Sequence, residues 1–294
     1  MRRNQRQLYA ERIDRVVEHI QKRVSDGSAP DLAELADVAA MSPYHFHRVY
    51  RIMTGEAVGE TVRRVRLAHS VPALAQQRTI AEVAGDSGYA TSQAFARAFK
   101  ATAGASASQL RSEAAAIDTL LEVLQKPRRV EGEPSNSLDI EVVSLDPFRL
   151  LAIRNTGDYD ELNAGYAKLF ELVLQQVEPS DLRGIYGIPH DDPRITPASE
   201  CRFDCALATG AVGQPLGDLK VVRVSGGEYI RLRRTGSYDA LHDSIDLVYA
   251  FAIGVLSREV AQEPLLFHYL DDPEEIEDEE ELRADIFLPL AAEG

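Results

Sequence analysis

Ile80-Ala-Glu-Val-Ala-Gly-Asp-Ser-Gly-Tyr89, followed by Gln93-Ala-Phe-Ala-Arg-Ala-Phe-Lys100 and Gly104, decides how this 294-residue chain is read. A weaker copy precedes it. Leu32-Ala-Glu-Leu-Ala36 matches Ile80-Ala-Glu-Val-Ala84 at an offset of 48, and Phe46, Arg48 and Gly55 match Phe95, Arg97 and Gly104 at an offset of 49. The slip of one residue falls in the turn between paired helices, where insertions cost least. The repeat therefore predicts two helix-turn-helix units joined by a helix over 58–76, with Pro72 bending that helix by removing a backbone donor.

Working outward, residues 7–24 carry Leu8, Ile13, Val16, Val17, Ile20 and Val24 near helical spacing, and Asp26-Gly27-Ser28 ends the run. Asp31 is placed to cap a short helix. Ser42-Pro43, an N-cap followed by proline at the first helical position, opens the next, with Phe46, Val49, Tyr50 and Met53 on its apolar side. Residues 7–112 thus read as one all-α domain.

Charge divides along the same line. The net charge of −15 resolves into +5 over residues 1–112 and −20 over 113–294. A basic front and an acidic rear are expected when only the front meets phosphates. No apolar run reaches bilayer length, and no apolar segment follows Met1-Arg2-Arg3-Asn4-Gln5-Arg6, so no membrane partner and a cytoplasmic location are expected. His45 and His47 lie about 200° apart around a helix and cannot share a metal. No catalytic set, cofactor or metal site is expected.

On these motifs, residues 7–112 resemble the DNA-binding domain of AraC/XylS-type regulators. The resemblance implies double-stranded promoter DNA as partner, activation of transcription, and an effect on DNA affinity or RNA polymerase contact. It places Tyr44, His47 and Arg48 of the first recognition helix, and Ser92, Gln93 and Arg97 of the second, against bases. Arg51 joins the DNA-contacting set, and Arg63, Arg66 and Lys100 are placed to hold phosphates. The residue types suit this, since arginine pairs with guanine and glutamine with adenine. Of the matched pair Arg48 and Arg97, only one need touch a base.

Residues 113–137 read as helix and linker. A helix is expected from 111 to about 124; then Lys126-Pro-Arg-Arg and Glu131-Gly-Glu-Pro-Ser-Asn-Ser bring loop composition without periodicity. Arg128 and Arg129 read as solvated linker.

The rear holds a second repeat. Arg149-Leu-Leu-Ala-Ile-Arg-Asn-Thr-Gly-Asp-Tyr-Asp-Glu-Leu162 matches Glu228-Tyr-Ile-Arg-Leu-Arg-Arg-Thr-Gly-Ser-Tyr-Asp-Ala-Leu241 at an offset of 79. Each copy predicts a strand, a Thr-Gly-x-Tyr-Asp turn and an amphipathic helix, over 162–177 and 241–259. Further strands are expected over 138–143, 203–209, 265–270 and 286–290. The turn motif reads as structural, with glycine redirecting the chain and Asp160 or Asp239 capping the helix. The fold class is therefore an all-α double helix-turn-helix domain followed by an α+β domain of two pseudo-symmetric halves.

Residues 138–291 resemble GyrI-like small-molecule-binding domains, most plainly in Tyr269-Leu-Asp-Asp-Pro-Glu-Glu and Leu282-Arg-Ala-Asp-Ile-Phe-Leu-Pro-Leu290. That implies a small-molecule effector in a groove between the halves, with Tyr166, Tyr186, Phe203, Cys205, Phe267 and Tyr269 as lining candidates. Their alternative is ordinary core. In Leu266-Phe267-His268-Tyr269, Phe267 stands where the resemblance places a glutamate facing cationic ligands, so a neutral or aromatic effector is expected as readily as a cation. Cys201 and Cys205 read as one strand, about 13 Å apart and too far to pair. His190-Asp191-Asp192 and the acidic run 271–281 read as loops. The competing readings are a ligand-sequestering or hydrolytic rear domain with DNA binding secondary.

Overall fold

The computed structural model describes residues 5–75, 78–103, 106, 139–210, 213–273 and 275–292. The helix and linker expected over 111–137 and Gly104 lie outside them. The described residues divide into two compact units, with residues 7–103 in the first and 139–292 in the second.

The first unit is helical: α1 (Gln5–Ser25), α2 (Leu32–Val38), α3 (Pro43–Thr54), α4 (Val58–Ala75), α5 (Ile80–Asp86) and α6 (Ser92–Ala103). The starts follow the caps read from the sequence. Asp31 accepts from the backbone N–H of Glu34 at 2.8 Å, and Ser42 accepts from that of His45 at 3.4 Å. Thr79 and Glu82 form a reciprocal capping box at α5, satisfying two otherwise orphaned donors. Helix α4 runs through Pro72 to Ala75, with Pro72 exposed.

Two matched cores result. Leu35, Phe46, Val49 and Tyr50 are buried in the first helix pair. Leu67, Val71, Leu74, Val83, Phe95 and Phe99 pack together in the second. A buried polar relay fixes α3 to α4: Tyr50 donates to Thr61 at 2.8 Å, and Thr61 and Arg64 each donate to Glu56 at 2.6 Å. Burial pushes the Tyr50 phenol up to about 12, so it remains a donor.

Among the described residues, the second unit is one eight-stranded antiparallel sheet with two α-helices. Its strands are β1 (Asp139–Leu145), β2 (Phe148–Thr156), β3 (Leu182–Pro189), β4 (Arg202–Thr209), β5 (Lys220–Val224), β6 (Gly227–Thr235), β7 (Leu266–Tyr269) and β8 (Arg283–Pro289). Helices α7 (Leu162–Val173) and α8 (Leu241–Ala250) follow β2 and β6; α8 continues as a wider π-helical turn over Phe251–Leu256. Strands β3 and β5 went unread in the sequence. Cys201 sits one residue before β4 rather than inside it, and both cysteines are free and buried.

Strand order is β1-β6-β8-β7-β3-β4-β2-β5. Reading inward from either end gives the same sequence of roles, so a pseudo-twofold axis passes between β3 and β7. The first strand of each half pairs with the second strand of the other: β1 with β6, β5 with β2. The register that matches Asp204 with Asp285 also matches Gly187 with Phe267, which lie directly opposite each other at the axis.

This order forces curvature. Only Asp146 and Pro147 separate β1 from β2, and only Ser225 and Gly226 separate β5 from β6, yet each pair sits at opposite ends of the order. Three Cα–Cα steps reach about 11 Å at most. The sheet therefore curls until its ends meet. The two connections touch, since a Cβ on Gly226 would lie 2.7 Å from Pro147 Cδ. Side chains from every strand, among them Val143, Leu150, Ala206, Val222, Tyr229, Leu266, Phe287 and Ile188, gather in one cluster inside the curl.

Candidate functional site

In the helical unit the candidate interface is the outer face of α6. Phe95 and Phe99 anchor the helix in the core, which turns Ser92, Gln93, Arg97 and Lys100 outward, and all four are exposed. Their spacing of one, four and three residues keeps them on one side of the helix.

The first recognition helix differs. His47 is 2% exposed and Arg48 0%, with the Arg48 guanidinium 4.9 Å from the centre of the Tyr44 ring. A side chain without accessible surface has nothing to offer a base edge. His47 and Arg48 thus lie buried in this structure, whereas Arg97, at the position matched to Arg48, is exposed. Tyr44 is half-buried and Arg51 exposed. Arg63 is exposed on α4, whereas Arg66 is half-buried, its guanidinium against Gly88 in the turn before α6.

In the sheet unit, strand alternation sorts the six lining candidates onto two faces. Phe203, Cys205, Phe267 and Tyr269 lie on the helix-covered face, where Tyr166 of α7 meets them. Tyr186 alone points into the curl. The structure does not bring the six together in one wall.

The helix-side group is dense. Tyr166 and Tyr269 meet edge to face at 5.9 Å, Tyr238 lies 4.8 Å from Tyr269, and Phe267 and Phe203 are 6.4 Å apart. Tyr159 of the first half stacks on His242 of the second at 4.8 Å. Tyr238, Tyr159 and His242 were not among the residues singled out in the sequence as lining. A Cβ on Gly187 would lie 2.4 Å from Phe203 and 2.9 Å from the Tyr269 hydroxyl, so these rings pack onto bare backbone. Burial raises the phenols of Tyr166 and Tyr269 far above their ordinary value and pushes the Cys205 thiol up to about 12.

The Thr-Gly-x-Tyr-Asp elements act as paired latches. Tyr159 donates to the carbonyls of Asp191 and Arg202, at 3.0 and 2.8 Å. Tyr238 does the same to Asp271 and Arg283, at 2.9 and 3.0 Å. Each aspartate then takes a two-pronged bond from its arginine, Asp191 from Arg202 and Asp271 from Arg283. Gly157 and Gly236 sit at φ of 148° and 126°, which a side chain would resist. The expected caps do not form. Asp158 rather than Asp160 caps the first turn, and Asp239 caps nothing, because a 3-10 turn intervenes before each helix.

Inside the curl each half buries one aspartate. Asp204 receives Arg154, His190 and Lys220; Asp285 receives both prongs of Arg233 at 2.8 and 2.7 Å. Burial alone would raise the Asp204 carboxyl, but hydrogen bonds from His190, Arg154 and Lys220 together hold it well below the usual range. His190, Asp191 and Asp192 are thereby all engaged in holding loops, Asp192 with Arg194. Between the halves, Tyr186 and His268 stack at 4.4 Å with planes 4° apart.

A cavity of about 500 Å³ opens at one end of the curl, lined by Phe148, Leu150, Tyr186 and Ala208 with Arg149 and Arg183. No helix among the described residues is long and apolar enough to cross a membrane.

Residues 138–291 match the model of the GyrI-like small-molecule-binding domain, and residues 35–113 match a helix-turn-helix domain. The Bacillus subtilis (strain 168) SPbeta prophage protein YosT, named as a candidate transcriptional regulator, is 31% identical over 98 residues, covering 31% of this chain and 62% of its own. A helix-turn-helix-type transcriptional regulator of Mycobacterium tuberculosis is 37% identical over 86 residues, covering 29% of this chain and 33% of its own. The chain thus spans less than two thirds of either relative. Among solved structures, an EcmrR–DNA complex determined by cryo-electron microscopy superposes with a TM-score of 0.47 at 13% identity, covering 63% of this chain and 68% of that one.

Proposed function

The chain belongs to the GyrI-like small-molecule-binding family and carries a helix-turn-helix domain ahead of that module; from this we propose that it is a DNA-binding transcription regulator, an activator, whose promoter affinity or polymerase contact changes when a small molecule occupies the rear domain. The observation that carries the DNA half is the exposed row Ser92, Gln93, Arg97 and Lys100 on a helix anchored by two buried phenylalanines. In this reading Gln93 and Arg97 read bases, Ser92 and Tyr44 assist, and Arg51, Arg63, Arg66 and Lys100 hold phosphates.

The rear domain acts by binding rather than by catalysis. The side chains nearest to a nucleophile, Cys205, Tyr166 and Tyr269, are held protonated by burial. An activated nucleophile needs the opposite shift.

The test is selection of genomic DNA fragments by the full chain, followed by transcription in vitro from the recovered promoters. Enrichment of a shared sequence, with transcript yield rising when the chain is added, is the expected result. Recovery of fragments with no common sequence would overturn the reading.

A further inference from the structure

We propose that the cavity at the open end of the first half of the curled sheet is the receptor site for a small aromatic anion, a planar ring bearing a carboxylate or sulfonate. This deepens the reading of the rear domain as a small-molecule receptor and rests on it.

Space comes first. The two halves are matched strand for strand, but not in bulk. On the inner face Ala152, Ala206 and Ala208 of the first half correspond in register to Arg231, Phe287 and Pro289 of the second. Of these three small side chains, Ala208 lines the cavity and leaves room where the matched half carries Pro289. The cavity of about 500 Å³ lies at this end, within the ~300–1,000 Å³ usual for ligand sites.

The walls suit a flat apolar body. Phe148 and Tyr186 lie 5.5 Å apart, and Leu150 and Ala208 complete the apolar side. His268 backs Tyr186 in a parallel stack, so that ring is positioned before any ligand arrives.

The rim supplies the charge. Arg149 lies directly opposite Arg223 across the β2–β5 pair, an arrangement that repels. Both are exposed, and neither side chain makes a hydrogen bond or ion pair among the described residues. Arg183, across the mouth, holds the carbonyls of Ser180 and Leu182 and reaches Asp181 only at 3.5 Å. The chain from 113 onward carries a net −20, so uncompensated guanidinium groups at a cavity mouth stand out from their surroundings. A carboxylate or sulfonate there would accept paired N–H bonds and relieve the Arg149–Arg223 repulsion.

The probe is 8-anilino-1-naphthalenesulfonate, compared with N-phenyl-1-naphthylamine, which has the same rings without the sulfonate. Both are titrated into the full chain by fluorescence. The site predicts saturable one-to-one binding of the sulfonate, about tenfold tighter than the neutral dye. Arg149→Ala and Arg183→Ala should each weaken the sulfonate about fivefold or more and leave the neutral dye unchanged. Ala208→Phe, which fills the cavity, should abolish both; if that variant fails to fold, the two exposed arginine variants decide alone. Equal affinity for the two dyes overturns the proposal, as does sulfonate binding indifferent to both arginine substitutions. Promoter binding is followed in the same samples. Sulfonate binding that survives in a chain without sequence-specific DNA binding upholds this site while removing the regulator reading. Intact DNA binding without sulfonate binding does the reverse.

Discussion

Arg48 and Arg97 occupy the same position in two copies of one motif, and the fold buries the first completely while exposing the second. The difference assigns them different work. Arg97→Ala should weaken specific DNA binding by about 1–3 kcal/mol, roughly 5- to 150-fold, and leave the melting temperature unchanged. Arg48→Ala should instead lower the melting temperature through lost packing and lost contact with Tyr44. Anisotropy titrations beside thermal melts separate the two; a cold-stable Arg48→Ala chain that loses only DNA affinity would contradict the assignment.

The paired latches predict symmetric energetics. Tyr159→Phe and Tyr238→Phe each strip the hydroxyl donor from two loop carbonyls, at a cost of about 1–3 kcal/mol apiece. The sites lie in opposite halves, so the double variant should show near-additive loss in urea unfolding. A neutral result at either site would remove the latch.

Gly187 is expected to tolerate no side chain. Gly187→Ala drives a methyl into Phe203 and the Tyr269 hydroxyl, and overpacking of this kind costs about 1–3 kcal/mol. Combining it with Phe203→Leu should recover part of the loss, because the tighter of the two contacts is then relieved.

Much of this architecture was legible in the residues, and the exceptions have physical causes. The two helix-turn-helix units were readable because caps and periodicity are local: Asp31, Ser42 and the spacing of Phe95 and Phe99 each act within a turn or two. The two rear halves were readable from the repeated Thr-Gly-x-Tyr-Asp. Strand β3 was hidden because Leu182-Arg-Gly-Ile-Tyr-Gly-Ile-Pro189 carries two glycines and a closing proline, which lower strand propensity. The exchange of β1 and β5 between halves depends on pairings 68 to 94 residues apart and leaves no local trace. Tyr186 was separated from the other lining candidates by parity alone, since one step along a strand reverses the face. The burial of Arg48 was equally invisible, because the same motif exposes Arg97.

Acid should unlock the inside of the curl. Asp204 has its carboxyl held below the ordinary range, so it contributes stability above the unfolded value near pH 4 that is lost as pH falls further. Asp204→Asn should remove that dependence and destabilise the rear domain by about 3–5 kcal/mol at pH 7, because Arg154, His190 and Lys220 lose their shared partner. Melting temperature against pH, wild type beside variant, checks both; parallel curves would show that Asp204 is not the group responsible.

Native thiol chemistry should be silent. Burial raises Cys201 and pushes Cys205 up to about 12, so iodoacetamide at pH 8 should label neither until the chain unfolds. Mass spectrometry of the labelled native protein gives the answer; rapid labelling of Cys205 would mean that the helix-covered face opens.

The most direct test of the regulator account is fluorescence anisotropy of the full chain on a DNA fragment recovered by its own selection, against a shuffled duplex of equal length, across a series of salt concentrations. The account predicts binding to the selected fragment about 10³-fold tighter or more than to the shuffled one, weakening on both as salt rises. Equal affinity for the two duplexes at every salt concentration would contradict it.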